Sequence, residues 1–454
     1  MARIHRTMLK CAILLVGNGR LITRDSAIPF VEDGCVVIRD GLIVEIGGTG
    51  AMLAAYPAER FVDAHGGLIM PGLINAHTHL YSTFARGMAL KDAAPGNFVE
   101  ILERLWWRLD KVLTLEDVYL SAVVAMIDCI KNGTTTIFDH HSSPGAISGS
   151  LFQIADAARL TGVRSCLCYE VTDRDGADAA RLAIEENRAF LDLCRQSGDS
   201  QVRGLFGLHA SFTLSDRTLA ECCSAEAAFD AGFHVHVAEA AADVAQCQRE
   251  HGKRVVERFY DWGILGEKTI AAHCVHVDDG EIGLLQSTRT TVIHNPESNM
   301  GNAVGCAPVL KMVERGIRVG LGSDGYTSDM FESLKVANLI AKHEAGEPSV
   351  GWVEPPAMLF ERNGDIAGAC FDNTVGKLVP GAHADVIVVD YNPPTPVTSA
   401  NIDGHLLFGV SGRAVRTTII GGRIAMQDRE LSGIDEARIM AQAREAAGRL
   451  WERF

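Results

Sequence analysis

Met70-Pro71-Gly72-Leu73-Ile74-Asn75-Ala76-His77-Thr78-His79 opens on a turn and continues as an apolar strand that ends in two histidines. A strand repeats every two residues, so the imidazoles of His77 and His79 project to the same side. This run is the first of eight. Leu73–His79, Thr134–His140, Val163–Val171, Val202–His209, Phe233–Ala238, Thr269–Val275, Thr290–His294 and Val319–Gly322 are short β-type segments. The stretches between them are long enough for a helix in each gap. Strand–helix alternation repeated eight times predicts a closed parallel (β/α)8 barrel, an α/β fold. An open doubly wound sheet is the alternative, but its first strand normally leads into a glycine-rich phosphate turn, and none follows Leu73–His79.

The two ends of the chain read differently. Ala12–Val16, Cys35–Ile38 and Leu42–Ile46 are apolar runs split by Gly, Asp and Asn, with Asp40-Gly41 placed for a type I′ hairpin. Asp385–Val389 and Val415–Ile420 are β-type again, so both ends are expected to share one small β domain. Arg3, Arg6 and Lys10 before Cys11–Val16 suggest a secretory leader, but that run is short and no clean small-residue cleavage site follows. The Gly17-Asn18-Gly19 that comes next favours two strands and a turn. Between the first two barrel strands, Phe98, Ile101, Leu102, Leu105, Trp106 and Leu109 keep helical spacing, with Asn97 and Glu100 placed as a capping box. Trp106 lies on that stripe and is expected in the core. Trp107 lies off it, open to stacking on a planar ring or to packing. Asp435–Phe454 reads as an amphipathic helix with Ile439, Ala443, Ala446, Leu450 and Phe454 on one face.

Composition narrows the function. With 454 residues, 47% of them hydrophobic and 22% charged, the chain can bury a sizeable core. Its 57 acidic against 42 basic residues give a net charge of −15, which disfavours nucleic acid and anionic membrane surfaces as partners. No stretch of about 18 apolar residues is present to span a membrane. The 12 cysteines are scattered. Neither Cys166-x-Cys168 nor Cys222-Cys223 has structural-zinc spacing, and reduced thiols in a cytoplasmic protein are expected.

The 16 histidines are more telling. His77, His79, His140, His141, His209, His234, His236, His273 and His294 all fall at or near strand ends, and a barrel gathers its active groups at the C-terminal ends of its strands. His77 and His79, a third imidazole from His236, and the carboxylate of Asp324 make a metal set that leaves a position open for water. Glu239, three residues past His236, and His273, ending the next strand, complete an acid–base group with Asp324. Arg86, His141, Glu170, His209, Asn299 and Trp107 lie on expected active-face loops or strand ends and are candidate substrate contacts. Arg86 could donate to a carbonyl oxygen or pair with a surface acid; His209 could contact substrate or pack. His5, His65, His251, His343, His383 and His405 have no strand-end partners and read as solvated or structural.

Pro71–His79, His234-Val235-His236-Val237-Ala238-Glu239, Ala272-His273-Cys274-Val275-His276, His294-Asn295-Pro296-Glu297-Ser298-Asn299 and Gly322-Ser323-Asp324-Gly325 resemble, in order, the motifs of the amidohydrolase superfamily. They match its cytosine deaminase-like and chlorohydrolase-like branch. Tyr81–Met88, Leu105–Asp110, Phe138–Pro144 and Asp324–Glu332 are similar to SsnA-type aminohydrolases, and Gly376–Val389 resembles the family's C-terminal β element. The resemblance implies a distorted (β/α)8 barrel at 67–366, a β-sandwich built from 1–66 and 367–430, and a helix at 431–454. It implies one divalent metal, zinc or alternatively iron, held by His77, His79, His236 and Asp324. No lysine ends the fourth strand, where binuclear relatives carry a carboxylated one. It implies hydrolytic deamination of an aminated N-heterocycle, a purine-like base such as guanine or 8-oxoguanine first and a pterin or pyrimidine next. In that reaction Asp324 takes the proton of a metal-activated water, His273 steadies the nucleophile and Glu239 protonates the ring. An s-triazine chloro- or alkylaminohydrolase is the nearest alternative, and a non-catalytic ligand-binding barrel the second. The family also implies a homo-oligomer, a dimer or larger.

Overall fold

The computed structural model describes residues 13–56 and 60–454. Its centre is a ring of eight parallel strands, labelled here β1 (Leu73–Thr78), β2 (Thr134–His141), β3 (Arg164–Tyr169), β4 (Val202–Gly204, resumed as Phe206–Ala210), β5 (Phe233–Val237), β6 (Ile270–His273), β7 (Thr291–His294) and β8 (Val319–Leu321). The first half of β4 closes one arc with β1, β2 and β3; its second half opens the other arc, which runs in order to β8. Single parallel bridges join the arcs, Val171 to Leu208 on one side and Thr78 to Asp324 on the other. Strand order therefore follows chain order, as the alternation of apolar runs predicts, and the doubly wound alternative falls. A G-x-G-x-x-G spacing does occur, Gly320 to Gly325, but it ends the last strand instead of following the first.

Nearly every residue of β1 to β8 is buried, because helices cover the outside and side chains fill the inside. Helix Leu115–Lys131 shows how the outer layer is fixed. Thr114 and Asp117 form a reciprocal capping box at its start, and twelve of its seventeen residues are buried.

The chain ends share a nine-stranded sheet. Leu68–Pro71 pairs antiparallel with Val386–Val389 and so joins the early strands to the late ones. The sheet is one continuous hydrogen-bonded path that curls until Leu42 bridges His383, and Leu14, Val16, Ile38, Ile69, Val386 and Ile419 meet in its fold. It reaches Pro71, past the boundary expected at residue 66, and hands the chain to β1 across Gly72. The hairpin at Asp40-Gly41 forms with positive φ at both residues (52° and 79°), as a type I′ turn requires.

Gly17-Asn18-Gly19 is not a turn. Leu14–Ile22 is one strand, and Asn18 (φ 57°) sits in a register shift between Val16 and Gly19. Arg3, Arg6, Lys10 and the start of the expected strand at Ala12 lie outside the described residues. The barrel docks on the sheet through a buried two-pronged ion pair: Arg164 at the foot of β3 reaches both oxygens of Asp385, at 3.1 and 3.2 Å. Among the described residues no helix is long and apolar enough to cross a membrane, and the cysteines are free thiols.

Candidate metal centre and active-site cleft

The C-terminal strand ends bring together residues that are far apart in sequence. His79 and His236 each direct Nδ1 at a backbone carbonyl, that of His140 (2.5 Å) and that of His209 (3.0 Å). A carbonyl only accepts, so both rings carry hydrogen on Nδ1 and turn Nε2, the atom left to bind a metal, into the site. Those two Nε2 atoms face each other at 3.3 Å. His77 Nδ1 lies 2.8 Å from His234 Nε2, and its own Nε2 is buried with no protein partner. The Asp324 Oδ1 stands 3.0 Å from His79 Nε2 and 3.8 Å from His77 Nε2. Burial first, then the crowd of neighbouring imidazoles, holds His77 and His236 well below the usual histidine range, in the neutral form that binds metal. Ring nitrogens converging on a carboxylate suit a cation, and the residues present fit a divalent metal.

The backbone is bent to achieve this. Ala238, His273, Cys274 and Asp324, just past or at the ends of β5, β6 and β8, all have positive φ (46° to 73°). Such conformations cost roughly 1–3 kcal/mol each and cluster at functional sites. Asp324 is turned by its own amide and that of Ser323, which both donate to the His77 carbonyl at 3.0 and 3.1 Å. Gly322 allows the close approach, since a Cβ there would stand 2.5 Å from Asn295 Oδ1 and 2.9 Å from His77 Cβ.

Beside the candidate metal set lies a second group of polar and titratable side chains. His273 Nδ1 is 2.8 Å from Asn299 Oδ1, which orients the ring so that Nε2 looks toward Glu239 (3.6 Å) and Asp324 (4.0 Å). Burial pushes the Glu239 carboxyl up, with Asp324 adding to the rise and His273 opposing it. Ser298 donates to Asp324 Oδ2, and Asn302 donates to both Glu239 Oε1 (3.3 Å) and Ser298 Oγ (3.2 Å). Ser298 and Asn302 are four residues apart at one short helix, Pro296–Gly301, and sequence reading singled out neither. Their spacing within the histidine motif of β7 was the available signal.

A cleft of about 710 Å³ opens from this centre. One wall is apolar: Phe98, Val99, Leu102, Trp106 and Trp107. The other is made by the turn after β4 and the helix Ala241–His251. Trp106 and Trp107 both line it because the expected helix is interrupted. Phe98–Ile101 is α, Leu102–Trp106 is a π-turn and Trp107–Lys111 is α again, so one extra residue shifts the stripe. Asn97 caps this helix by accepting from the Glu100 amide, while Glu100 returns its side chain to Gly96.

Three of the six expected substrate contacts reach the cleft: Glu170, His209 and Trp107. His209 donates Nδ1–H to Thr213 Oγ1 at 2.6 Å; burial lowers it to about 4, so it is neutral and offers Nε2 as an acceptor. Burial works against the charge of Glu170, but His209, His140 and Arg174 hold its carboxyl well below the usual range. The other three are corrected. Arg86 is exposed and pairs with Asp128 at 3.0 Å, the surface alternative. His141 is buried behind the wall, hydrogen-bonded to Ser143 and packed on Tyr81 and Tyr169. Asn299 acts through His273 and does not line the cleft. Arg174 and Tyr326 line the cleft without having been expected there, and His251, read as structural, sits at its rim 3.7 Å from Asp216.

This architecture agrees with the comparisons. Residues 68–425 match the amidohydrolase family. The chain belongs to that family. Among curated amidohydrolase relatives, a 5'-deoxyadenosine deaminase of Methanosarcina mazei is 33% identical over 444 residues, covering 97% of this chain and 98% of the relative. A 5-methylthioadenosine/S-adenosylhomocysteine deaminase of Pelotomaculum thermopropionicum is 31% identical over 446 residues, covering 97% and 100%. The fold of this amidohydrolase is similar to that of a zinc-bound adenosine deaminase from Xanthomonas campestris, with a TM-score of 0.85 at 22% identity over 97% of this chain and 98% of that one.

Proposed function

We propose that this amidohydrolase is a metal-dependent deaminase that replaces the exocyclic amine of an adenosine-type nucleoside with oxygen and releases ammonia. The observation that carries the reading is the pair of carboxylates, Glu239 and Asp324, set on either side of His273 in the mouth of the imidazole cluster. Deamination needs one base for the attacking water and one acid for the ring nitrogen and departing amine. A zinc ion held by His77, His79, His236 and Asp324 would supply a Lewis acid that makes water nucleophilic near neutral pH. Asp324 accepts the proton of that water, its second oxygen being fixed by Ser298. Glu239, carrying a proton, gives it to the ring nitrogen beside the amine-bearing carbon. His273, held by Asn299, steadies the charge that develops between them.

The nucleoside moves ahead of the free guanine or 8-oxoguanine expected from sequence for two reasons. The relatives at 31% and 33% identity are named for adenosine derivatives. The cleft, at about 710 Å³, lies in the ~300–1,000 Å³ range of pockets for whole drug-sized ligands. A triazine chlorohydrolase is less favoured, because a departing chloride takes no proton, although protonation of a ring nitrogen by Glu239 would serve that reaction too.

Incubating the zinc-loaded enzyme with 5'-deoxyadenosine, adenosine, guanine, 8-oxoguanine and a chloro-s-triazine and assaying ammonia and chloride tests this. Ammonia from the nucleosides with the highest kcat/KM is expected. Chloride from the triazine with no ammonia from any amino-heterocycle would overturn the reading.

A further inference from the structure

The far half of the cleft bears on which adenosine derivative enters, an inference that rests on the deaminase reading above. The helix Ala241–His251 starts beside Glu239, and residues from both of its ends line the cleft. At 1.5 Å per residue the cleft therefore extends on the order of 15 Å from the reaction centre, past the length of a purine ring. That leaves room for the ribose and a 5' substituent.

The charges lining this space are lopsided. Nine acidic side chains line the whole cleft, two of them, Glu239 and Asp324, at the reaction centre, against one guanidinium, that of Arg174, and no lysine. Burial pushes Asp110 and Asp243 up to about 7, so these two carry less than full charge. Arg174 is already matched. Asp110 accepts from its Nη2, Glu170 lies 3.4 Å from the same nitrogen, Asp175 lies 3.3 Å from its Nε, and the ring of Trp107 covers it with its centroid 5.2 Å away. Its Nε and Nη1 make no hydrogen bond to protein, Nε facing Asp175 and Nη1 no acid at all, and the two lie on different edges of the guanidinium. One N–H can serve a hydroxyl or a ring nitrogen, but it does not make the two-pronged clasp by which Arg recognises a carboxylate or phosphate. At the rim, Asp216 is matched by Arg258 at 2.7 Å and Asp173 caps Ser215 and Thr218; Glu250 is exposed but paired with Arg249 at 3.3 Å, while Glu103 stands exposed.

We propose that the far half of the cleft selects a nucleoside whose 5' substituent bears no negative charge, and that Glu103, with a smaller share from the Arg249-paired Glu250, enforces this by repulsion. A neutral alkyl or thioether tail, or a cationic one, enters; a carboxylate or phosphate tail meets like charge and no free cation.

Three 5'-thioether analogues of 5'-deoxyadenosine, with propyl, 3-aminopropyl and 2-carboxyethyl tails, test the charge at nearly constant size. The propyl and aminopropyl compounds are expected to have similar kcat/KM, with the carboxyethyl compound roughly tenfold lower at low salt and the gap narrowing in ~0.5 M NaCl as screening shortens the field. Glu103→Lys and Glu250→Lys should each narrow the gap as well. Equal or better turnover of the carboxyethyl compound overturns the inference, as does a gap that neither salt nor the two substitutions moves. Turnover of 5'-deoxyadenosine with failure of all three tails also overturns it while leaving the deaminase reading intact. If no adenosine derivative yields ammonia, the deaminase reading itself falls and takes the inference with it.

Discussion

The Nε2 atoms of His79 and His236 face each other at 3.3 Å, and each ring has its Nδ1–H committed to a backbone carbonyl. Two such nitrogens at that distance need a cation, a proton or a metal ion, between them. The purified protein should therefore hold close to one divalent metal per chain by elemental analysis. Chelation should lower its thermal midpoint, and added zinc should restore it, since a ligand that binds only the folded state stabilises by RT ln(1 + [L]/Kd). His236→Ala should lower both metal content and the zinc-induced shift. A full complement of metal in His236→Ala would remove that residue from the ligand set.

Glu239 and Asp324 are expected to act as one unit. Glu239→Gln should cut kcat by roughly 10²–10⁴, the usual contribution of a positioned acid or base. Asp324→Asn should do the same, and the double variant should lose little more than either alone, because residues of one mechanism are not additive. Glu239→Gln should keep its metal, measured in parallel. Additive losses would mean that the two carboxylates serve separate steps.

Glu297 gives a stability prediction. One of its oxygens accepts from Ser333 at 3.0 Å and the other is buried with no protein partner. Burial pushes its carboxyl up to about 7, with Glu332 and Asp329 adding to the rise. A carboxyl raised in the folded state favours folding below its unfolded value, ~4.3, and that contribution is lost as pH rises through about 7. Glu297→Gln, which stays neutral, should melt higher than wild type at pH 8 and show no such advantage at pH 4. The difference between the two melting curves across pH is the measurement; a constant offset would refute the assignment.

The C-terminal helix Glu436–Arg453 is tied to the turn that follows His79. Trp451 Nε1 donates to the Phe84 carbonyl at 2.8 Å, and Leu450 is fully buried beneath it. Trp451→Phe should cost about 0.5–1.5 kcal/mol, the net value of one hydrogen bond. Leu450→Ala should cost about 2–5 kcal/mol. Urea denaturation gives both numbers, and an undiminished Leu450→Ala would mean that the helix does not hold the fold.

The barrel strands were legible because each is an apolar run closed by a polar turn, and the meeting of His77 and His79 in one cluster because they obey the strand period. Other features were hidden for physical reasons. Gly-Asn-Gly suits a turn and a bulge equally, since both need positive φ, and only the partner strand at Val36 and Gly34 decides. The π-turn at Leu102–Trp106 is a one-residue shift of hydrogen bonding that no residue type announces. Arg86 was ambiguous because its acid partner, Asp128, is 42 residues away. His141 could have been set aside: strand alternation sends it opposite to His140, away from the ring of ligands.

Pro71 pairs with Val386, yet only Gly72 separates it from the strand that carries His77. His77 and His79 thus follow a strand one of whose two neighbours is made more than 300 residues later. At ~5–20 residues per second, His77 and His79 wait on the order of 15–60 s before the sheet behind them can close. Until then two neighbouring imidazoles can meet metal without their final geometry. The proposed metal would meet its final geometry only once that sheet has closed.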